Sequence, residues 1–158
     1  MLRFEETLHI DATPGRVWDV WSNVEGWPGW TKSMATVEVL GDGTMGLGAK
    51  AKVKQPGVPK AIWTVTEWYV GRSFAWRYDA PGNHVVATHA VQPRDGGGSV
   101  VTMTIETSGV FPALMRPWLA RFTRKNLAME ADGLKARCEA APAKEHLAPA
   151  GVYSGIAL

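Results

Sequence analysis

The sequence predicts an α+β fold in which a curved, seven-stranded antiparallel sheet wraps around one long C-terminal helix. Two observations favour it. Six segments between residues 34 and 109 alternate apolar and polar side chains and are joined by short turns, and residues 111–141 then change to helical spacing. A first strand and two short helices precede them. A sheet with one apolar face and one long helix closes a core by curving around that helix, and such a wrap readily encloses a cavity.

The N-terminal segment carries the signals of one strand and two short helices. Residues 3–11 alternate apolar and polar side chains, as in a half-buried strand. Thr13 followed by Pro14 is typical of a helix N-cap and the first helical position. The helix should end near Asn23, and the Gly- and Pro-rich residues 25–30 leave room for only one more helical turn.

The remaining strands are separated by turn signals rich in Gly, Pro, Asn and Asp. Because these turns are short, consecutive strands should pair as an antiparallel meander. The predicted strands are 34–41, 48–55, 60–70, 73–80, 84–93 and 99–109.

The C-terminal part predicts a long helix followed by a tail. Within residues 111–141, Pro117 starts or kinks the main helix, so Phe111–Arg116 is expected to form a separate turn. Residues 142–158 are rich in Ala and Pro and are expected to lie outside the domain. The sequence therefore predicts a ligand-binding domain over residues 1–141 and a tail over residues 142–158.

Composition and charge exclude several classes of protein. The chain has 158 residues, 17 basic and 15 acidic side chains, and a formal net charge of +2, which is too balanced for a nucleic-acid binder. Its single cysteine, Cys138, excludes an internal disulfide framework and a Cys-rich zinc site. No apolar run approaches the ~18 residues of a membrane span, and the first residues lack a signal-peptide pattern. We therefore expect a cytoplasmic protein without integral membrane association, as a monomer or a homodimer.

Tryptophan is the unusual part of the composition, with eight residues against four Phe and three Tyr. An aromatic-lined pocket and a heavily aromatic core both explain this excess. Trp63 and Trp76 are the best candidates for a pocket wall, whereas Trp68 is expected on the outer face of the sheet. Trp18, Trp21 and Trp118 lie in predicted helices and are expected to pack in the core. Trp27 and Trp30 lie in the connection between helix and strand and are expected to border the cavity entrance.

The order of elements and several short motifs resemble the START/polyketide cyclase-like superfamily, also called SRPBCC or the helix-grip fold. The resemblance covers roughly residues 3–140. The motifs that carry it are Ile10-Asp11-Ala12-Thr13-Pro14, Val17-Trp18, Trp27, Trp30, Gly48, Trp63-Thr64-Val65-Thr66-Glu67, Pro81-Gly82, Ala87-Thr88-His89 and Gly97-Gly98.

The resemblance implies a cavity for lipids, sterols, polyketides or other apolar molecules, in a superfamily of which only some members are enzymes. We therefore expect a protein that binds a small apolar, lipid-like, aromatic or polyketide-like ligand between the sheet and the C-terminal helix. The alternative is an enzyme of the polyketide cyclase/aromatase or dehydratase type. Such an enzyme needs at least two titratable groups that converge in one pocket.

His89 is the first candidate for acid–base chemistry. It shares a strand face with Val85, Ala87 and Val91, so it should point into the apolar cavity. An imidazole there serves as a general base or acid, as a polar anchor for the ligand, or as a core histidine bonded to a neighbouring element.

Glu67 and Tyr78 are the possible partners of His89. Glu67 shares a face with Trp63 and Val65, but the opposite face of that strand is nearly as apolar, so its direction stays open. Were it to point inward, apolar surroundings would raise its pKa. Tyr78 lies on the face of Trp76, where its hydroxyl would be a polar handle.

The residues expected to contact the ligand share predicted inward positions on the strands or the long helix, or a position in the connection. Core packing is the alternative for each of them. They are Trp63, Val65, Trp76, Ala87, Met103, Phe122, Asn126, Met129 and Trp30.

Two patterns in the sequence resemble a nucleotide site and a metal site, but neither has the arrangement that such a site requires. Residues 41–46 match G-x-G-x-x-G, but a strand follows them where a nucleotide site needs a helix. His84 and His89 lie five residues apart on one strand, so they point to opposite faces and cannot bind one ion. No cofactor and no metal are expected.

Overall fold

A computed structural model describes residues 1–140, so the predicted tail 142–158 and the last residue of the predicted domain lie outside the described residues. The strands are β1 (Leu2–Ile10), β2 (Thr36–Val39), β3 (Lys50–Lys54), β4 (Ala61–Tyr69), β5 (Ser73–Ala80), β6 (Asn83–Pro93) and β7 (Ser99–Ser108). The α-helices are α1 (Pro14–Ser22), α2 (Val110–Leu114) and α3 (Arg116–Glu139), and a 3₁₀ helix (Val24–Gly29) follows α1.

The seven strands form one antiparallel, curved sheet in the order β1-β7-β6-β5-β4-β3-β2. Consecutive strands from β2 to β7 are neighbours. β1 is the edge strand beside β7 and pairs with it along its whole length. The predicted α+β class, with a long C-terminal helix on the sheet, is confirmed.

The two N-terminal helices begin as their sequence indicates. The Thr13 hydroxyl accepts a hydrogen bond from the Arg16 backbone N–H at 3.2 Å, and Pro14 occupies the first helical position. The single turn expected over 25–30 is the 3₁₀ helix. The separate turn expected before Pro117 is α2.

β4 contains an irregularity that alternation of side chains does not reveal. Val65 pairs with Trp76 whereas Glu67 pairs with Ala75, so Thr66 is an extra residue in the ladder, a β-bulge. Such a bulge reverses the faces of the residues beyond it. Glu67 is therefore exposed.

Trp68 changes face for the same reason. It pairs with Phe74, points inward and packs on Trp18, with ring centroids 5.1 Å apart. The expectation that Trp68 lies on the outer face of the sheet is therefore wrong.

The C-terminal end of α3 is hydrogen-bonded to residues that follow β1 and begin α1. The Asp11 backbone N–H donates to Glu139 at 2.9 Å, and Arg16 Nε donates to the Cys138 carbonyl at 3.1 Å. Both acceptors lie in the last turn of α3, where the backbone carbonyl of Cys138 has no N–H donor within the helix and the carboxylate of Glu139 reaches the residue that follows β1. These hydrogen bonds hold one end of the helix against β1 and α1.

Gly133 permits a close approach in the C-terminal half of the same helix. A Cβ atom at this position would lie 2.1 Å from the carbonyl oxygen of Trp30. Only glycine therefore allows α3 to pack against the connection that follows the 3₁₀ helix. The N-terminal half of α3 lies over the cavity described next.

Candidate functional site

A cavity of about 270 Å³ lies between the inner face of the sheet and the N-terminal half of α3. Strands β3 to β7 supply one wall, and residues of α3 from Trp118 to Glu130 supply the other. The β3–β4 loop and Phe111 of α2 complete the lining. The cavity thus lies where a one-sided sheet curves around a helix.

The sheet wall is mainly aromatic. The rings of Trp63 and Trp76 lie 5.5 Å apart, and Tyr78 is 5.9 Å from Trp63. Trp27, from the 3₁₀ helix, packs 5.4 Å from Trp76 and also lines the cavity. Ring separations of this kind are those of favourable aromatic packing. They form a stiff wall of large apolar faces.

The open end of the cavity is formed by Phe111, Trp118 and Phe122, together with Val58 and Pro59 of the β3–β4 loop. Trp118 lines the cavity while 43% of it is exposed, so the cavity meets solvent here. Its ring stacks on that of Phe122 at 5.2 Å.

The closed end carries a buried imidazole and a buried carboxyl group. His89 is 4% exposed and Glu130 is 6% exposed, and both line the cavity. The Trp21 indole N–H donates to Glu130 Oε1 at 3.1 Å, and His89 Nε2 lies 3.6 Å from the same oxygen. Phe74 stacks on the His89 ring at 4.3 Å, which fixes the plane of the imidazole.

Burial changes the protonation of both groups. It lowers the pKa of His89 from 6.5 to about 3, with partial opposition from the Phe74 backbone. It raises the pKa of Glu130 from 4.5 to about 7, with partial opposition from the Trp21 hydrogen bond. The imidazole is therefore neutral at neutral pH, so the 3.6 Å separation does not join two opposite charges there. Glu130 is near its titration midpoint.

His89 keeps an unused polar atom. Its Nδ1 is buried and has no hydrogen-bond partner of good geometry among residues 1–140. Buried polar atoms without partners are uncommon and are often found where function requires them. The closed end is therefore a polar patch in an otherwise apolar cavity.

Several residues predicted to form the site do line the cavity. The inward direction of β5 and β6 is as expected, because the two strands pair with each other without a break in register. The predicted residues at the cavity wall are His89, Tyr78, Trp63, Trp76, Ala87, Phe122 and Asn126.

The other predicted residues do not line it. Glu67 lies on the outer face because of the bulge in β4. Val65 and Met103 point inward but are covered by their neighbours. Trp30 packs against Trp27 and Gly133. Met129 is half-buried on the side of α3, because the inward face of that helix runs through Leu127 and Glu130.

Glu130 was not predicted, although a signal for it exists. It lies at helical spacing from Leu127 and Leu134, so it falls within the buried stripe of α3. A carboxyl group inside an apolar stripe is costly to bury and therefore points to a function.

Among residues 1–140, no three His, Cys, Asp or Glu side chains come together as a set of metal ligands. None of the helices in this range combines the length and apolar character that a membrane crossing requires.

Solved structures of low sequence identity share this fold. A Thermus thermophilus protein is 19% identical, with a TM-score of 0.71, over 87% of this chain and 97% of its own. The Zhui aromatase/cyclase of a Streptomyces species is 19% identical, with a TM-score of 0.69, over 87% and 93%. A norcoclaurine synthase point mutant from Thalictrum flavum, in complex with a transition-state analogue, has the same four values. At such identities the likeness concerns the fold alone.

The family of the chain follows from a broader match. No curated protein matches the sequence significantly. The model of the family described as polyketide cyclase / dehydrase and lipid transport, however, matches residues 1–139, nearly all of those that the structure describes. The chain therefore belongs to the polyketide cyclase/dehydrase and lipid transport family of the START-like, SRPBCC superfamily.

Proposed function

We propose that this protein binds a small, largely apolar ligand in the cavity between the sheet and α3. The observation that carries the proposal is the aromatic-lined cavity of about 270 Å³ that meets solvent beside Trp118. Ligand sites are typically concave, apolar and furnished with a few polar groups, as this cavity is.

The volume and lining of the cavity indicate the size of the ligand. Known ligand pockets begin at roughly 300 Å³, so this one suits a molecule of one or two rings better than a long acyl chain. Burying apolar ligand surface contributes about 25 cal/mol per Å², and the stacked indoles of Trp63 and Trp76 add flat contact area.

A fluorescence titration tests this proposal. Binding of 1-naphthalenemethanol, a neutral two-ring probe, should change the emission of the cavity tryptophans and saturate. Ala87→Phe places a ring in the cavity and should abolish the saturable change, because Ala87 lines the wall.

The matched control is Ala90→Phe, the same substitution on the outer face of the same strand, which should bind the probe as the native protein does. Unfolding curves of both variants show whether each one folds. Equal binding by folded Ala87→Phe and the native protein would contradict ligand binding in this cavity.

A second candidate function is acid–base catalysis of the cyclase, aromatase or dehydratase type. Its supporting observation is the convergence of His89 and Glu130, 3.6 Å apart, on one cavity that Tyr78 also lines. The carboxyl group of Glu130 titrates near neutral pH and is suited to transfer a proton, whereas His89, whose pKa burial lowers to about 3, is a weak base suited to accept a hydrogen bond from the reacting group. Glu130 thus takes the role that the sequence suggested for Glu67.

Turnover of a β-polyketone surrogate distinguishes catalysis from binding alone. Glu130→Gln should lower kcat by about 100-fold or more if this group transfers a proton, because general acid–base groups typically contribute 10²–10⁴-fold. His89→Ala should also lower kcat, because it removes the hydrogen-bonding group 3.6 Å from Glu130. Rates equal to that of the native enzyme in both variants would remove this candidate and leave the binding function.

A further inference from the structure

The cavity wall carries an acidic side chain and no cationic one among the described residues. Its titratable residues are Tyr78, His89 and Glu130, and no Lys or Arg side chain lines it among the described residues. Lys54 is the last residue of β3, and its ammonium group donates a hydrogen bond to the backbone carbonyl of Val58 in the β3–β4 loop. Among the described residues that line the cavity, the carboxyl group of Glu130 is therefore the one that changes between neutral and negatively charged near neutral pH.

This charge pattern disfavours anionic ligands. A carboxylate or phosphate in the cavity would be taken out of water without a counter-ion and would lie near Glu130. Fatty acids and phosphorylated molecules therefore fit the cavity poorly, although its apolar walls would suit their hydrocarbon parts.

The aromatic wall favours the opposite charge. Indole faces attract cations through their quadrupole, and tryptophan is the best of the aromatic residues in this respect. Trp27 and Trp76 line the cavity near its closed end, with ring centroids 5.4 and 5.9 Å from that of His89. A cation bound in the cavity would therefore be stabilised by the wall as well as by Glu130.

Glu130 has hydrogen-bonding capacity left for such a cation. Among the described residues, the Trp21 indole is its only hydrogen-bond donor, at 3.1 Å from Oε1. An ionised carboxylate accepts about four hydrogen bonds, so most of its capacity is unused. The neutral imidazole of His89, 3.6 Å away, offers one further acceptor nitrogen.

We propose that the cavity selects a ligand with a protonated amine attached to a compact aromatic or apolar body, and that Glu130 is the counter-ion of the amine. This inference rests on the proposed ligand-binding function and specifies its ligand class. The ammonium group lies at the closed end between Glu130 and His89, and the apolar body lies against the indoles of Trp63 and Trp76.

The protonation of Glu130 makes this selectivity depend on pH. Burial raises the pKa of Glu130 to about 7, so the carboxyl group is neutral below that pH and ionised above it. His89 stays uncharged over the same range because burial lowers its pKa to about 3, and Tyr78 is the remaining titratable group of the wall. Amine affinity should therefore rise between about pH 5 and about pH 8.

Three probes with one ring system test the proposal. 1-Naphthylmethylamine, 1-naphthalenemethanol and 1-naphthoic acid differ only in the group that would reach Glu130. Their dissociation constants are measured by tryptophan fluorescence and calorimetry at about pH 8 and about pH 5. The proteins are the native chain, Glu130→Gln and, as a matched control, Asp132→Asn, which removes an exposed carboxylate from the same helix.

The amine should bind the native protein about tenfold or more tightly than the alcohol at about pH 8, because a hydrogen bond between two charged groups is stronger than one from a neutral hydroxyl group. The acid should bind most weakly. Glu130→Gln should remove both the preference for the amine and its rise with pH, and Asp132→Asn should keep both.

Other outcomes overturn the proposal in distinguishable ways. Equal binding of the three probes, or tightest binding of the acid, overturns the amine selectivity and leaves the ligand-binding function standing. An amine preference that persists in folded Glu130→Gln overturns the role of Glu130. Failure of all three probes to bind overturns the ligand-binding function itself, and the amine proposal with it.

Discussion

The two ends of the cavity depart from the usual distribution of side chains in opposite ways. At the closed end, the polar groups of His89 and Glu130 are buried. At the open end, Phe111 and Trp118 are large apolar residues that remain more than one-third exposed. Both arrangements cost free energy relative to the common pattern of apolar interior and polar surface. They meet in one cavity, as expected where function and stability compete.

α3 spans both ends and is held unequally. Its last turns are hydrogen-bonded to Asp11 and Arg16, whereas its first turns carry the exposed Trp118 and follow the short helix α2. The closed end should therefore control the stability of the fold, while the open end should control the entry and affinity of the ligand. Four substitutions test this division, in decreasing order of their expected effect on stability.

Phe74→Ala should have the largest effect. Phe74 is 1% exposed, stacks on His89 and packs against Trp18 and Trp21. Removing a buried phenyl ring typically costs about 3–5 kcal/mol of the free energy of unfolding, which urea denaturation measures. A loss below about 1 kcal/mol would show that the closed end does not support the fold.

Glu130→Gln should change how stability depends on pH. Between pH 4.5 and about 7, the unfolded chain loses a Glu130 proton that the folded protein retains, so rising pH lowers the free energy of unfolding. His89 acts in the opposite sense. As the pH falls from 6.5 to about 3, the unfolded chain gains a proton on His89 that the folded protein does not gain, so falling pH lowers the free energy of unfolding. The two contributions oppose each other between pH 4.5 and 6.5 in the native protein.

The glutamine variant removes the first contribution and leaves the second. Relative to the native protein, its free energy of unfolding should rise by about 2 kcal/mol from pH 4.5 to 6.5, since one pKa unit corresponds to about 1.4 kcal/mol and the titrations of the unfolded and folded forms both lie only partly within this range. Denaturation curves across this range measure the difference. Asp132→Asn, on the exposed side of α3, should show no such rise. Parallel profiles for Glu130→Gln and the native protein would contradict the burial of an uncharged carboxyl group.

Trp21→Phe should have a smaller effect. It keeps a ring in place but removes the N–H that donates to Glu130, which costs about 1–3 kcal/mol for a buried group left without its partner. The pKa of Glu130 should rise further, because that hydrogen bond lowers it. Trp18→Phe is the control, since its indole N–H makes no hydrogen bond among the described residues. Equal losses in both variants would assign the effect to the ring alone.

Trp118→Ala should change stability least, by less than about 1 kcal/mol, because 43% of Trp118 is already exposed. Its effect should fall on binding: the dissociation constant for 1-naphthalenemethanol should rise, since Trp118 and Phe122 form the open end. Calorimetric titration and denaturation of the same sample separate the two quantities. A large loss of stability with unchanged affinity would reverse the assigned roles of the two ends.

The parts of the fold that follow regular patterns could be predicted from the sequence. Strand β6 pairs with its two neighbours without a bulge from Asn83 to Pro93, so the inward direction of His89 follows from counting residues. The cap of α1 at Thr13 and the break before Pro117 follow from local backbone chemistry in the same way.

Two features of the site escaped prediction for physical reasons. The bulge at Thr66 depends on how β4 pairs with β5, which is a long-range property, and it moved Glu67 out of the site and Trp68 into the core. Glu130 was missed because a charged residue on a helix is ordinarily assigned to the surface. Its burial becomes evident only when α3 is placed against Trp21 and His89.

The central claim is that the buried carboxyl group of Glu130 and the ligand meet at the closed end of the cavity. Carbon-13 NMR of the Glu130 side-chain carboxyl, titrated with pH in the free protein and with saturating 1-naphthylmethylamine, tests this most directly. We expect a midpoint near 7 in the free protein, because burial raises the pKa of this group to about that value, and a lower midpoint when the amine is bound. A midpoint near 4.5 that the amine leaves unchanged would contradict the account.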